Sequence, residues 1–325
     1  MRNLIKTLCE TWGPSGYEHH VRKLIQAEVA PFVDDMRVDP LGNLICRVGS
    51  GGTRTLFAAH MDEIGAMVTF IEPSSGMGRI AELGGLMKGI LPGSRVQFED
   101  GQFGVVWAHD AWRAHERTID DCYVDTLGKP VKIGTPVSFW RDTLFQNDYA
   151  TAKALDDRIG CAVMIEAIKR LNKQTANEVY FAFTVQEEVG LRGAGAAAFG
   201  VDPQVAVALD VTNTGDLPKN AKMAVKLGGG AAIKVHDPGL VVPKTVIDWM
   251  TARAESDGIP HQLELLSAGT TDAARFQITR SGVPSGCISI PCRYIHTPSE
   301  TVSLSDVEAC VQLVTGLAKN PIELN

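Results

Sequence analysis

The stretch Thr55-Leu56-Phe57-Ala58-Ala59-His60-Met61-Asp62 decides the fold, because an uncharged run ends in an imidazole and a carboxylate. An apolar run of this length is typical of a strand buried within a parallel sheet. Side chains two apart on an extended chain lie on the same face, so His60 and Asp62 should be neighbours. Histidines that bind metal usually donate their other ring N–H to a carboxylate. The spacing therefore predicts that Asp62 orients His60.

The same pattern of an apolar run beside polar groups returns along the chain. The carboxyl ends of parallel strands open on one crevice, so we expect these groups to converge there. They are Glu187 and Glu188 after the run 179–185, Asp210 after 205–209, His296 after 287–290, and Asp156 and Asp157 just before a helix predicted from Ile159.

The order of predicted elements indicates an α/β fold with an insertion. Residues 1–65 and 148–325 alternate between helical spacing and apolar runs, which predicts a mostly parallel mixed sheet sandwiched by helices. The predicted helices of the second half cover 159–171, 245–254, 271–280 and 302–317. Residues 66–147 instead form short alternating runs separated by Gly, Pro and Asp, which predicts an inserted small β-rich domain.

Composition excludes several classes of partner. The net charge is −7, and no run of Lys and Arg is present to bind nucleic-acid phosphates. No window has the ~20 apolar residues of a membrane span, and charges interrupt the N-terminus where a signal peptide would be uncharged. The seven cysteines are scattered without CxxC pairs. We therefore expect a cytoplasmic protein with no nucleic-acid or membrane partner.

The polar groups at the predicted strand ends suit a metal centre. Two imidazoles with several carboxylates and no thiolate favour zinc, cobalt or manganese. Clustered carboxylates repel one another, and a dinuclear centre would relieve that repulsion. Glu187 and Glu188 are adjacent and cannot both point at one atom, which suggests one metal ligand and one general base. Asp156 and Asp157 could equally well cap the helix that follows.

Six motifs together resemble a known family, the tetrahedral and glutamyl aminopeptidases, also called deblocking aminopeptidases. This family is a branch of the cocatalytic dinuclear metallopeptidases. The motifs occur in the family's order and span nearly the whole chain: AHMDEIG at 59–65, ALDDRIG at 154–160, VQEEVG at 185–190, LDVT at 209–212, GTTDA at 269–273 and RYIHTP at 293–298.

The resemblance implies a role for each candidate residue and hence a reaction. Glu187 would be the general base, and Asp62 the orienting partner of His60. The implied activity is hydrolysis of the N-terminal residue from short peptides with a free N-terminus, by a water that two divalent metal ions activate. The implied metal ligands are Asp156 as the bridge, His60 and Asp210 in one site, and Glu188 and His296 in the other.

The resemblance also implies an architecture and an assembly. The catalytic part would have a zinc-peptidase-like fold, and the insert would be PDZ-like and form contacts between subunits. Family members commonly form dimers that build a hollow tetrahedral dodecamer. Two places depart from the family's pattern: residues 108–116, and Asn213 where a histidine is frequent. These departures concern assembly and substrate preference, because they leave the metal ligands unchanged.

Three other functions fit part of the sequence. A glycosidase with paired carboxylates would leave His60 and His296 without a role. A non-catalytic scaffold stabilised by metal would keep the ligands but hydrolyse nothing. A nucleotide site at Gly228-Gly229-Gly230 lacks both the GxxxxGK[ST] and GxGxxG patterns, so a tight turn is the better interpretation.

Overall fold

A computed structural model describes residues 1–109, 118–219, 222–322 and 324. Within these ranges the helices are α1 (Arg2–Glu10), α2 (His19–Val29), α3 (Leu155–Leu171), α4 (Arg192–Val201), α5 (Lys244–Ser256), α6 (Ala273–Gln277) and α7 (Leu304–Lys319). The strands are β1 (Asp35–Val38), β2 (Leu44–Val48), β3 (Arg54–His60), β4 (Gly65–Ile71), β5 (Gly78–Leu83), β6 (Arg95–Gln97), β7 (Phe103–Ala108), β8 (Cys122–Asp125), β9 (Pro136–Phe139), β10 (Leu144–Gln146), β11 (Tyr149–Ala152), β12 (Glu178–Thr184), β13 (Val205–Thr212), β14 (Ala231–Asp237), β15 (Leu240–Val241), β16 (His261–Leu265), β17 (Ser285–Arg293) and β18 (Glu300–Ser303).

Four parallel strands form the centre of the larger sheet. β3 lies between β12 and β13, and β17 pairs with the other side of β13. β3 is buried along nearly its whole length, which explains its run of uncharged residues. The register places Thr184, the last residue of β12, beside His60, the last residue of β3. The polar residues that follow these strands therefore emerge at one edge of the sheet.

The flanks of this sheet are mainly antiparallel. β2 and β1 extend it antiparallel beyond β12, while β18, β11 and β10 extend it antiparallel beyond β17. β14 pairs antiparallel with β17 and β15, and parallel with β16. The expected mixed sheet is confirmed. The expectation that most of its strands are parallel was wrong, because the flanking pairs are antiparallel except for β14 with β16. Short turns suffice for antiparallel neighbours, whereas parallel strands need a long crossover.

Two groups of helices pack on the larger sheet. α1, α2 and α7 contact α3, which itself contacts β3 and β13. α4 and α6 contact each other and pack on β12 and β13 respectively. The helix predicted at 271–280 is shorter in the structure, where it is α6, Ala273–Gln277. The backbone turns away after α6: Ile278 has non-helical angles, and Arg280 has a positive φ of 54°.

The predicted β-rich insert contains a closed barrel. Its strands follow the order β4-β5-β8-β7-β6-β9 and enclose a hydrophobic cluster separate from the main core. Closure leaves no unpaired strand edge. β10 pairs with β11 in the larger sheet, and the domain boundaries at 65/66 and 147/148 stay a prediction, as does the PDZ-like comparison. Of the stretch that departs from the family's pattern, residues 110–116 lie outside the described residues.

Three smaller expectations concern cysteines, membrane spans and the glycine run. All seven cysteines are buried, as small apolar side chains would be. Among the described residues no helix is both long and apolar enough to cross a bilayer. Gly228 and Gly230 have positive φ values of 80° and 89°, and both donate their N–H groups to the Asp306 carboxylate. The glycine run is thus a turn tied to the start of α7.

Candidate metal centre

The predicted site residues converge at the carboxyl ends of β3, β12 and β13. Their ligand atoms fall into two groups in which all atoms lie within 4.8 Å of one another. One group contains His60, Asp156 and Asp210, and the other contains Asp156, Glu188 and His296. Asp156 is the member common to both groups.

The two adjacent aspartates at the start of α3 have non-helical backbone angles and different surroundings. Asp156 lies between the histidines: its Oδ1 is 3.0 Å from His60 Nε2 and its Oδ2 is 3.3 Å from His296 Nε2. The Asp157 carboxylate instead accepts N–H bonds from His60 and from Gly160, three residues on. Asp157 therefore caps the start of the helix, and Asp156 faces the cleft. Asp157 thus fits the capping interpretation, and Asp156 stays a predicted metal ligand.

Asp62 is fully buried beside His60, but its carboxylate also holds the neighbouring loop. His60 Nδ1 is 3.1 Å from the Asp62 carbonyl oxygen and 3.4 Å from its carboxylate. The shorter distance makes the carbonyl the better acceptor. The carboxylate accepts N–H bonds from Glu187 at 3.0 Å and Glu188 at 3.2 Å, and an O–H bond from Ser15 at 2.6 Å. Asp62 thus positions both the imidazole and the two glutamates.

His296 reaches the cluster from a loop between β17 and β18. Its Nδ1 lies 2.9 Å from the carbonyl oxygen of Gly85 in the insert, which leaves Nε2 facing Asp156 and Glu188. The buried Glu300 carboxylate accepts the backbone N–H groups of His296 at 2.8 Å and Asp156 at 2.9 Å. Glu300 was not predicted, because a carboxylate that acts through backbone groups has no recognisable spacing in a sequence.

Burial and mutual repulsion shift the pKa values of the cluster. Burial, followed by the Asp156 charge, raises the pKa of Glu188 to about 8 and that of Asp210 to about 8. Burial would lower the pKa of His296, but the facing Asp156 and Glu188 raise it to about 10. Burial would raise the pKa of Asp156, and the two histidines hold it below its usual range. Without a cation, the cluster holds protons at neutral pH.

The cluster offers suitable ligands for divalent cations. Glu188 Oε1 is buried and, in the part of the chain that the structure describes, has no hydrogen-bond partner. A buried carboxylate oxygen without a partner is costly unless something binds it. Imidazoles and carboxylates without thiolates suit zinc, cobalt or manganese. The residues present therefore fit a metal centre, and the cleft above it has a volume of about 630 Å³.

We expect the metal-free protein to lose stability as the pH rises from about 5 to about 8. The folded state raises the pKa values of Glu188 and Asp210 to about 8, whereas ordinary carboxyl pKa values are about 4. Over this range the folded protein binds more protons than the unfolded chain, so the free energy of unfolding falls as the pH rises. His296 contributes in the same direction. The melting temperature of chelator-treated protein across this range measures the effect.

Metal-saturated protein is the control for this experiment. Cations replace the protons on the same carboxylates, so the loss of stability should shrink or reverse. A chelator-treated protein whose melting temperature rises steadily between about pH 5 and pH 8 would contradict the electrostatic description.

Replacing Glu300 by glutamine should weaken metal binding. The amide offers one oxygen where the carboxylate accepts two backbone N–H groups, so the backbone of His296 and Asp156 loses one restraint. Loss of a group that orients metal ligands typically lowers affinity about 10–100-fold. Calorimetric titration with zinc measures the change. The control is Glu308→Gln, which removes an exposed ion pair with Arg170 and should leave affinity unchanged. Equal affinities for both variants would exclude this role.

Comparison with known proteins places the chain in a family. The model for M42 glutamyl aminopeptidases matches residues 42–313, which is most of the chain. A relative from Acetivibrio thermocellus, provisionally named an aminopeptidase, is 43% identical over 97% of both chains. The lysyl aminopeptidase of Pyrococcus furiosus is 33% identical over 97% of this chain and 95% of its own length.

The three-dimensional structure agrees with these matches. The TET1 peptidase of Pyrococcus horikoshii is 34% identical and superposes with a TM-score of 0.86, covering 98% of this chain and 99% of that one. The similarity therefore includes the larger sheet, the barrel and the edge where the carboxylates and histidines meet. The chain belongs to the M42 glutamyl aminopeptidase family and is a metal-dependent aminopeptidase.

Proposed function

We propose that this aminopeptidase hydrolyses the first peptide bond of short peptides with two divalent cations, which are zinc, cobalt or manganese. Asp156 would bind both cations, because its two oxygens face different histidines. That shared position is the observation that carries the proposal. The proposed ligands are His60, Asp156 and Asp210 for one cation, and Asp156, Glu188 and His296 for the other.

When bound, two such cations polarise a carbonyl group and lower the pKa of a water molecule. The chain's own residues supply the remaining functions. Glu187 lines the cleft, and its Oε2 lies 4.0 Å from His60 Nε2, beyond hydrogen-bond range. It belongs to neither ligand group. This carboxylate is therefore free to act on substrate.

Glu187 is the proposed general base. Burial raises its pKa well above the ordinary value, and Asp210 and Glu188 add to the rise while His60 opposes it. Bound cations would favour the ionised form of Glu187, and a carboxylate with a raised pKa accepts a proton more readily once it is ionised. Glu187 would take a proton from the attacking water and pass it to the nitrogen of the departing peptide. The Asp62 carboxylate holds the Glu187 N–H at 3.0 Å and so fixes the start of this side chain.

The proposed substrates are short peptides with a free N-terminus. The cleft above the cluster is lined by acidic side chains, which attract a positively charged α-amine. A peptide whose amine is held beside the cluster presents its first peptide bond to Glu187. Cleavage then removes one residue at a time.

The division into residues 1–65 with 148–325 as catalytic domain and 66–147 as inserted domain belongs to the proposal. The separate hydrophobic cluster of the barrel supports it. The insert also exposes large apolar side chains, including Phe70, Trp107 and Ile133, which contact with another subunit would cover.

We propose a homo-oligomer built through that surface. The related Pyrococcus horikoshii peptidase is described as assembling into a tetrahedron or a large octahedral shell. Dimers that build a tetrahedral dodecamer are the proposed form for this chain. The cysteines, which are scattered along the chain and buried, support a location in the reducing cytoplasm.

Two of the other functions that fit part of the sequence, the glycosidase and the scaffold, are less consistent with this geometry. A glycosidase needs two acids facing each other across a sugar. Here Asp156 and Glu188 lie within 3.4 Å of imidazole nitrogens instead. A non-catalytic scaffold would not need Glu187 beside the ligands.

Replacing Glu187 by glutamine should abolish most hydrolysis without removing metal. The amide keeps the shape of the side chain but cannot accept the proton, so kcat should fall by about 10²–10⁴. The measurement is release of p-nitroaniline from an aminoacyl p-nitroanilide, together with metal content by mass spectrometry.

The matched control for this experiment is the neighbouring Glu188→Gln. Glu188 belongs to a ligand group, so that variant should lose metal affinity as well as activity. Near-normal hydrolysis by Glu187→Gln would exclude Glu187 as the base.

A further inference from the structure

We propose that the cleft accepts a neutral, apolar side chain on the first residue of the substrate and disfavours acidic and basic ones. This inference rests on the proposed function, because it assumes that the first peptide bond lies at the carboxylate and histidine cluster. It departs from the glutamyl and lysyl preferences that the names of the family and of one relative describe.

The part of the cleft beyond the metal cluster is mostly apolar. Its walls come from both parts of the chain, because Gly85 and Met87 belong to the insert and the other lining residues to the catalytic part. Among the described residues that line the cleft, none is a lysine or arginine. The apolar lining side chains are Met87, Leu191, Val211, Leu266, Ala268 and Ile295.

Three threonines line the same cleft. Thr271 is buried, and its hydroxyl oxygen accepts the N–H of Ala273 at 3.4 Å. The hydroxyl groups of the other two already donate to carboxylates. Thr212 Oγ1 donates to Glu264 at 2.7 Å, and Thr270 Oγ1 donates to Asp237 at 2.9 Å. A hydroxyl has one proton to donate. Neither Thr212 nor Thr270 can therefore give its proton to a substrate carboxylate without breaking a hydrogen bond to a buried acid. Their remaining contribution to the wall is a methyl group.

The acids that hold these threonines belong to a buried ionic triad. Lys234 Nζ lies 2.8 Å from Glu264 and 3.3 Å from Asp237, and all three side chains are fully buried. Lys234 is a positively charged group behind this wall, and by itself it would attract an acidic substrate. Two carboxylates balance it, so the triad carries no net positive charge. An acidic side chain in the cleft would gain nothing from Lys234.

Basic substrates also lack a partner in this cleft. The acidic residues in the lining are Asp156, Glu187, Glu188 and Asp210, all of which belong to the catalytic cluster. Asn213, where the sequence departs from the family's pattern, contributes a neutral amide. A charged side chain placed between these walls would lose water without gaining an opposite charge, which is costly.

The first experiment compares substrates on the metal-loaded wild-type protein. The probes are the p-nitroanilides of leucine, methionine, glutamate and lysine. We expect kcat/KM for leucine and methionine to exceed that for glutamate and lysine more than about 10-fold. A glutamate or lysine substrate that equals or exceeds leucine would overturn this inference while leaving the proposed function intact. No hydrolysis of any substrate would overturn both.

The second experiment places a cation in the cleft. Leu266→Lys should raise the ratio of kcat/KM for glutamate to that for leucine by about 10-fold, because the ammonium can pair with the substrate carboxylate. Leu265→Lys is the matched control, since Leu265 is exposed and is absent from the lining. The control should keep the wild-type ratio. Equal ratios for both variants would show that the proposed wall does not contact the substrate's side chain.

Discussion

Repulsion among the carboxylates at the carboxyl ends of the parallel strands is the constraint on which the structure depends. Asp156, Glu187, Glu188 and Asp210 are brought together by elements far apart in sequence, and each is largely shielded from water. Burial of like charges is unfavourable, so the fold must supply enough stability to hold them in place. Cations that bind only the folded state would return part of that free energy.

The buried Arg158 fixes the end of β3, which carries His60, relative to the start of α3, which carries Asp156. Arg158, in the first turn after Asp156, donates to the carbonyl oxygen of Met61 at 2.6 Å, just before Asp62. It also lies 3.5 Å from Glu63, which pairs with Lys153 at 2.6 Å. These contacts join the end of β3 to the start of α3. The distance between His60 and Asp156 is thus set by buried ion pairs as well as by the sheet.

The parts of the structure that could be predicted are those where burial follows sequence pattern. β3, β12 and β13 were predicted because uncharged runs end in polar residues, and the parallel centre then follows. β14 and β16 were missed because their buried faces carry Lys234 and Glu264, which interrupt any apolar pattern. Glu264 is fully buried between exposed leucines, the reverse of the usual alternation. An ion pair across strands cannot be inferred from either strand alone.

The metal site, too, could be predicted only in part from the sequence. Residue type and position after a strand predicted which groups converge, but backbone geometry decided that Asp156 rather than Asp157 faces the cleft. Glu300 was missed because its partners are backbone N–H groups. The central claim is that Asp156 serves two cations at once, and metal stoichiometry tests it most directly. Cobalt titration of the wild-type protein should reach two ions per chain, and Asp156→Asn should lose tight binding of both. One ion per wild-type chain, or two tightly bound ions in the variant, would contradict the claim.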